Sequence, residues 1–186
     1  MIWLIIGLIV FFGAHLQRRL LPETRIRLNN QLGENRVKGI IALISAIGIV
    51  FIILGFRLSN SIPLYDLGSL GLLLNNILMM VAIALLGLGH SKSRVRRLVR
   101  HPMLLSIIFW SASHLLANGD LTSFILFLSF GLWALSEIIL INKGNSNYQP
   151  FTNGTLKGDI RFIMIAILAY FMISMIHLYL GVHPFF

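Results

Sequence analysis

The chain alternates between long apolar runs and short polar connections. Six runs are long and apolar enough to form membrane-crossing helices: residues 2–21, 37–56, 67–89, 102–117, 121–141 and 160–182. A span of roughly 17–25 mostly apolar residues matches the bilayer's hydrocarbon thickness. The fourth run is the shortest. It stops at Asn118-Gly119, a turn signal, and Asp120 is placed to cap the helix that follows. Runs four and five therefore predict a tight helical hairpin. The first run carries its arginines after the apolar stretch, with no small-residue cleavage site behind it, so it is expected to stay as a transmembrane helix. The pattern predicts an all-α polytopic membrane protein. Its six transmembrane helices are expected in one bundle, with residues 1–186 forming a single transmembrane domain.

Composition supports this reading. The chain is 57% hydrophobic and 11% charged, with mean hydropathy +0.87. A soluble domain has about 25% charged residues. The net charge is +9, and its placement matters more than its size. Of the 15 Lys and Arg, all but Arg57 flank the first, third and fifth connections. The positive-inside rule puts these connections in the cytoplasm and both termini on the outer, periplasmic side of a bacterial inner membrane. The basic stretch SKSRVRRLVR (residues 91–100) is then a topology signal in contact with anionic headgroups, and no nucleic-acid partner is expected. The segment 144–158 is expected to be an ordinary polar loop. With no cysteine, disulfides, iron–sulfur clusters and thiolate haem ligation are excluded.

Polar groups inside a span are costly and carry information about function. The first run holds His15. The third has Asn76, Met80, Ile83, Gly87 and His90 on one face, the fourth Ser111, His114 and Asn118, and the sixth Tyr170, Ser174, His177 and Gly181. Four helices thus carry a polar stripe with a histidine, and the simplest packing turns the stripes toward a shared cavity. Asn75 and Asn76 are expected to act as interhelical glue and Met79 and Met80 as packing, while His101 and His183 are expected at interfaces. Glu137 is the one carboxylate within a predicted span, so oxygen-rich calcium or magnesium sites are not expected. Neutral imidazoles on facing helices suit haem iron, zinc or copper. A planar apolar macrocycle suits a bundle rich in Phe and Met, and its propionates could reach Arg18, Arg19, Arg94 or Arg97. Haem b held between histidines is the preferred expectation.

The segments GAHLQRRL, LGENRVKGIIALISAIGIV and VRHPMLLSIIFWSASHLLANGD, with a late histidine before LGVHPFF, resemble the NnrU family in the same order along nearly the whole chain. The resemblance implies a bacterial membrane protein linked to denitrification and nitric oxide metabolism. It also implies kinship with 15-cis-zeta-carotene isomerase, a haem b membrane enzyme. The two histidines assigned as haem ligands there fall on His15 and His114, and an alternative cysteine ligand falls on Ser111, which cannot supply a thiolate. A lipophilic small-molecule substrate is a further implication. Counting 1.5 Å per residue from the inner boundary sets His15 at about 9 Å, His114 at about 18 Å and His177 at about 24 Å. That count also allows an inner site of His15 with His90 or His101, and an outer one of His114 with His177.

Two other functions are open at this level. The segment RHPM resembles the Arg-His-Pro segment of S-adenosylmethionine-dependent membrane methyltransferases, although the tail NKGNSNYQPFTNGT lacks their acidic and aromatic pattern. A non-catalytic partner in assembly of a respiratory or denitrification complex would fit the same composition. Oligomeric state is not encoded in any of these features.

Overall fold

The computed structural model describes residues 1–144 and 147–184. The chain folds as two compact units, Met1–Ile62 and Pro63–Phe186. Among the described residues the regular structure is all helical: α1 Ile2–Leu20, α2 Pro22–Leu32, α3 Glu34–Arg57, α4 Gly68–Leu88, α5 Pro102–Ala117, α6 Leu121–Gly144 and α7 Leu156–Tyr179, with a 3-10 turn at Arg94–Leu98. Five of these, α1, α3, α4, α6 and α7, are long and apolar enough to cross a membrane. The protein is a multi-pass membrane protein. The sixth predicted span is α5, with the expected bounds, but its 16 residues cover only about 24 Å. That is short of the roughly 30 Å hydrocarbon core, so it stands apart from the five long helices.

In the first unit, α1 packs antiparallel on α3 through glycines. Leu4 lies against Gly55, Gly7 against Ile52, and Phe11 against Gly48. A Cβ built on Gly7 would sit 2.6 Å from the Ile52 amide nitrogen, and one on Gly48 2.9 Å from that of Phe11. Water-driven burial offers little to helices in lipid, so close backbone approach at small residues supplies much of their attraction. Trp3 and Phe51 stack across the same seam at 5.5 Å. α2 lies within what reads in the sequence as a connection. Its start is set by Pro22 at the first turn, with Glu23 beside it, and its end by Gly33 at φ +86°.

In the second unit, α4 packs between α5 and α7, and α5 also packs on α6. The contacts of α5 and α6 are made by small polar residues. Ser106, Ser111, Ser113, Thr122 and Ser123 are all buried, which lets the helices approach closely. Large apolar side chains face outward instead, as with Met164 at 66% exposed and Met175 at 63%, a pattern that fits a lipid solvent. The predicted hairpin is present: Asp120 Oδ1 accepts from the Ser123 amide at 3.0 Å. The strand-like segment before α4 clamps this turn. The Leu64 and Tyr65 amides donate to the Gly119 carbonyl at 2.7 and 3.1 Å, and the Tyr65 hydroxyl donates to the Leu115 carbonyl. A side chain at Gly119 would collide with the Tyr65 backbone.

At the opposite end of this unit the expected ordinary loop is a fastened one. Arg96 lies over Phe151 at 4.4 Å and Arg100 over Tyr148 at 4.8 Å. Residues 145 and 146 lie outside the described residues. α7 begins four residues before its expected start, because Thr155 caps it by accepting from the Gly158 amide at 3.0 Å. Asp159 in its first turn accepts from Ser93 Oγ and the Arg94 amide, each at 2.7 Å, and from Arg94 Nε at 2.6 Å.

The α1–α3 seam can be tested by adding one methyl group. Gly55→Ala is expected to cost about 1–3 kcal/mol, lowering the unfolding midpoint of the purified protein in detergent. Gly39→Ala on the same helix meets nothing within 4 Å and should leave the midpoint unchanged or raise it.

Candidate functional site: a two-histidine cleft

Three of the four helices expected to carry polar stripes line one cleft, all within the second unit. α4 contributes Asn75, Asn76, Met79 and Ile83. α5 contributes His114 and Ala117, with Asn118 just after it. α7 contributes Tyr170, Ser174 and His177. The cleft has a cavity volume of about 150 Å³. The fourth stripe, with His15, belongs to the first unit.

His114 and His177 are held in the same way. His114 Nδ1 lies 3.0 Å from the Trp110 carbonyl, and His177 Nδ1 lies 2.8 Å from the Ile173 carbonyl. A carbonyl oxygen only accepts, so each Nδ1 carries a proton. The ring of His114 is also wedged between Trp110 and Phe127, with centroids at 5.2 and 4.5 Å. In its neutral form each imidazole therefore offers Nε2 as the nitrogen that can bind a metal, with its other nitrogen already engaged.

His15 is prepared identically in the first unit. Its Nδ1 lies 2.8 Å from the Phe11 carbonyl, and its ring lies against Phe11 at 4.3 Å. The other candidates are placed differently. His101 Nε2 lies 2.8 Å from Asn142 Oδ1, so the nitrogen a metal would use is committed to α6. His90 lines a separate cleft with Lys92 and Arg161. Arg94 is tied to Asp159, and Arg97 lies in the 3-10 turn beyond the far end of α4. Neither reaches the histidine cleft. Arg18 lines a cleft of the first unit with Arg25, Glu34 and Lys38. Ser111, expected on the face of His114, turns instead toward Gly131 of α6. Its hydroxyl is buried without a hydrogen-bond partner among the described residues.

Three lining residues, Asn75, Asn76 and His183, were not expected as site residues. Asn75 and Asn76 read as glue between helices, yet they bond weakly to each other, Nδ2 to Oδ1 at 3.4 Å, and both line the cleft. His183 read as an exposed terminal residue. It lines the cleft because the chain turns back after α7: Gly181 has φ +81°, and the Val182 amide donates to the His177 carbonyl at 2.9 Å. Glycine one residue past a helix end was the signal that could have found it.

The order of these helices, histidines and turns runs through the whole chain, and so does the match to known proteins. A family model described as NnrU protein covers residues 3–184. The chain belongs to the NnrU family. No curated protein and no solved structure gives a significant match to this NnrU chain.

What the cleft can hold follows from its donor set. Among the described residues no group of three His, Cys, Asp or Glu comes together. Protein zinc sites take three or four such ligands. A porphyrin supplies four ring nitrogens of its own and asks the protein for one or two axial ligands. Two oriented imidazoles in a cleft lined by Leu72, Met79, Ile83 and Ile173 fit the second demand.

The histidine geometry has a direct readout. In the purified protein labelled with 15N-histidine, His15, His114 and His177 are expected as the Nδ1-protonated tautomer and His101 as the Nε2-protonated one. Finding His114 and His177 protonated on Nε2 would remove the basis for treating them as ligands.

Proposed function

We propose that this NnrU chain binds haem b in the cleft of α4, α5 and α7, with His114 as an axial ligand and His177 as the second. What carries the reading is the shared arrangement of the two imidazoles: each spends Nδ1 on a carbonyl of its own helix, and both line one cleft. Haem bound there would supply a redox-active iron, or an iron able to coordinate a substrate once one ligand leaves. The chain's own residues do the rest. The Trp110 and Ile173 carbonyls fix the ring orientations, Phe127 and Trp110 pack the His114 ring, and Leu72, Met79 and Ile83 keep water from the macrocycle. The amides of Asn75, Asn76 and Asn118 offer hydrogen bonds to a polar group in an otherwise apolar space. On this reading the protein sits in the bacterial inner membrane, a location that the family resemblance supports. There it would serve denitrification and nitric-oxide-linked redox metabolism, or isomerase-like chemistry on a lipophilic substrate.

A second pairing, His15 with His114, is what the same resemblance implies. Spectroscopy on the purified protein separates the two. Protein from haem-replete cells should show a Soret band that shifts on reduction, and His114→Ala should abolish or strongly change it. Loss of the six-coordinate spectrum in His177→Ala, with His15→Ala unchanged, identifies the cleft pair; the converse identifies the pair carried over from the family. A colourless protein, with all three variants equal to wild type in stability, would sink the haem assignment. It would favour the assembly-partner reading.

A further inference from the structure

The second unit has another cleft, at the opposite end of the α4–α7 seam from the histidines. Lys92, Lys157, Arg161 and His90 stand around a floor that includes Gly87 and Phe162, with a cavity volume of about 590 Å³. Among the described residues no carboxylate lines it. The nearby Asp159 is turned onto Ser93 and Arg94. Lys92, Lys157 and Arg161 make no ion pair among the described residues. Phe162 also lines an apolar groove of about 310 Å³, walled by Met80 and Ala84 of α4 and by Ala166, Ile167 and Phe171 of α7. The cationic cleft therefore continues into a greasy furrow.

We infer that this continuous surface is a binding site for one anionic phospholipid, with its phosphate among Lys92, Lys157 and Arg161 and an acyl chain along the α4–α7 furrow. Three features point to that occupant. Among the described residues the cations are unpaired, so an anion repays their clustering. From Phe162 to Phe171 the furrow runs nine residues, about 14 Å of helix, close to the roughly 15 Å depth of one leaflet. The basic end is also the end that the positive-inside rule assigns to the cytoplasmic leaflet, where basic pockets between helices hold anionic headgroups. A free phosphate would use the cations and leave the furrow unexplained. A neutral lipid would use the furrow and leave the cations unexplained. The site shares no histidine of the haem cleft, so it stands or falls independently of the proposed function.

The test uses the full chain in detergent, with native mass spectrometry counting lipids retained from added phosphatidylglycerol or phosphatidylcholine. Wild type is expected to retain one phosphatidylglycerol in preference to phosphatidylcholine. A basic side chain near an anionic headgroup contributes roughly a fivefold factor in affinity, so the Lys157→Gln, Arg161→Gln double variant should bind about 25-fold more weakly. Lys143→Gln, a basic residue outside the cleft, should bind as wild type. Ala166→Trp, which fills the furrow and leaves the charges, should also lose the lipid. Equal retention of the two lipids, wild-type binding by either cleft variant, or displacement of the lipid by an equal concentration of glycerol 3-phosphate would each overturn the proposal. Should the double variant not fold, the wild-type lipid comparison and Ala166→Trp decide it.

Discussion

A polar group inside hydrocarbon must find its partner within the protein, and nearly every functional feature of this chain follows from how that demand is met. A histidine in a spanning helix has two ring nitrogens to satisfy. Here the helix itself satisfies one: at positions 15, 114 and 177 the Nδ1 proton goes to the carbonyl four residues earlier. The solution is local, so it needs no partner helix and does not restrict which way the helix packs. In the neutral ring it also makes the outer nitrogen the one that can serve a metal. The cost of placing a polar group in lipid and the preparation of a ligand are thus met by the same hydrogen bond. His101, at the start of α5, shows the contrast. It commits Nε2 to Asn142 of another helix, so it joins α5 to α6 and gives up the nitrogen a metal needs.

The same demand explains how the elements are joined. Both ends of the second unit are closed by backbone and short polar side chains, with little apolar burial. At one end the Gly119 carbonyl takes two amide donors from the segment before α4. At the other, Asp159 takes three donors from Ser93 and Arg94. A side chain at Gly119, Gly154 or Gly158 would run into backbone at these junctions. Between the two ends, apolar surface that a soluble fold would bury is left facing outward.

Much of this was legible in the sequence, for identifiable reasons. α5 was read with its observed bounds because both are marked by strong backbone signals, Pro102 at its start and Asn118-Gly119 after its end. The long helices were found because length and apolarity are what a bilayer selects. α2 was missed because it is a polar helix, and a search for apolar runs passes over it; Pro22 and Gly33 were its only markers. The start of α7 was set four residues late for a related reason. Lys157, Gly158 and Asp159 look like loop, whereas the Thr155 cap shows them to be its first turn. The shared histidine cavity was foreseen in kind but not in membership. Helical periodicity fixes a face only to within a residue, so Asn76, Met80 and Ile83 were chosen where the cleft takes Asn75, Asn76, Met79 and Ile83. His183 could not be placed at all without the turn that brings it back.

The partition of α4 explains why one helix pair could serve two such different surfaces. Asn75, Asn76, Met79 and Ile83 line the cleft that α4 shares with α5 and α7, where polar groups converge. The same helix presents Met80 and Ala84 toward α7, and Gly87 sits at the floor of the basic cleft. Adjacent residues on a helix are turned by about 100° from each other, so Met79 and Met80, like Ile83 and Ala84, present to different surfaces at nearly the same level. The small side chain of Ala84 helps leave a furrow beside α7. That helix packs on α4 and the 3-10 turn and exposes most of its surface. The polar cleft and the amphiphilic groove are therefore lined by neighbouring faces of one helix, and the groove needs no dedicated element of its own.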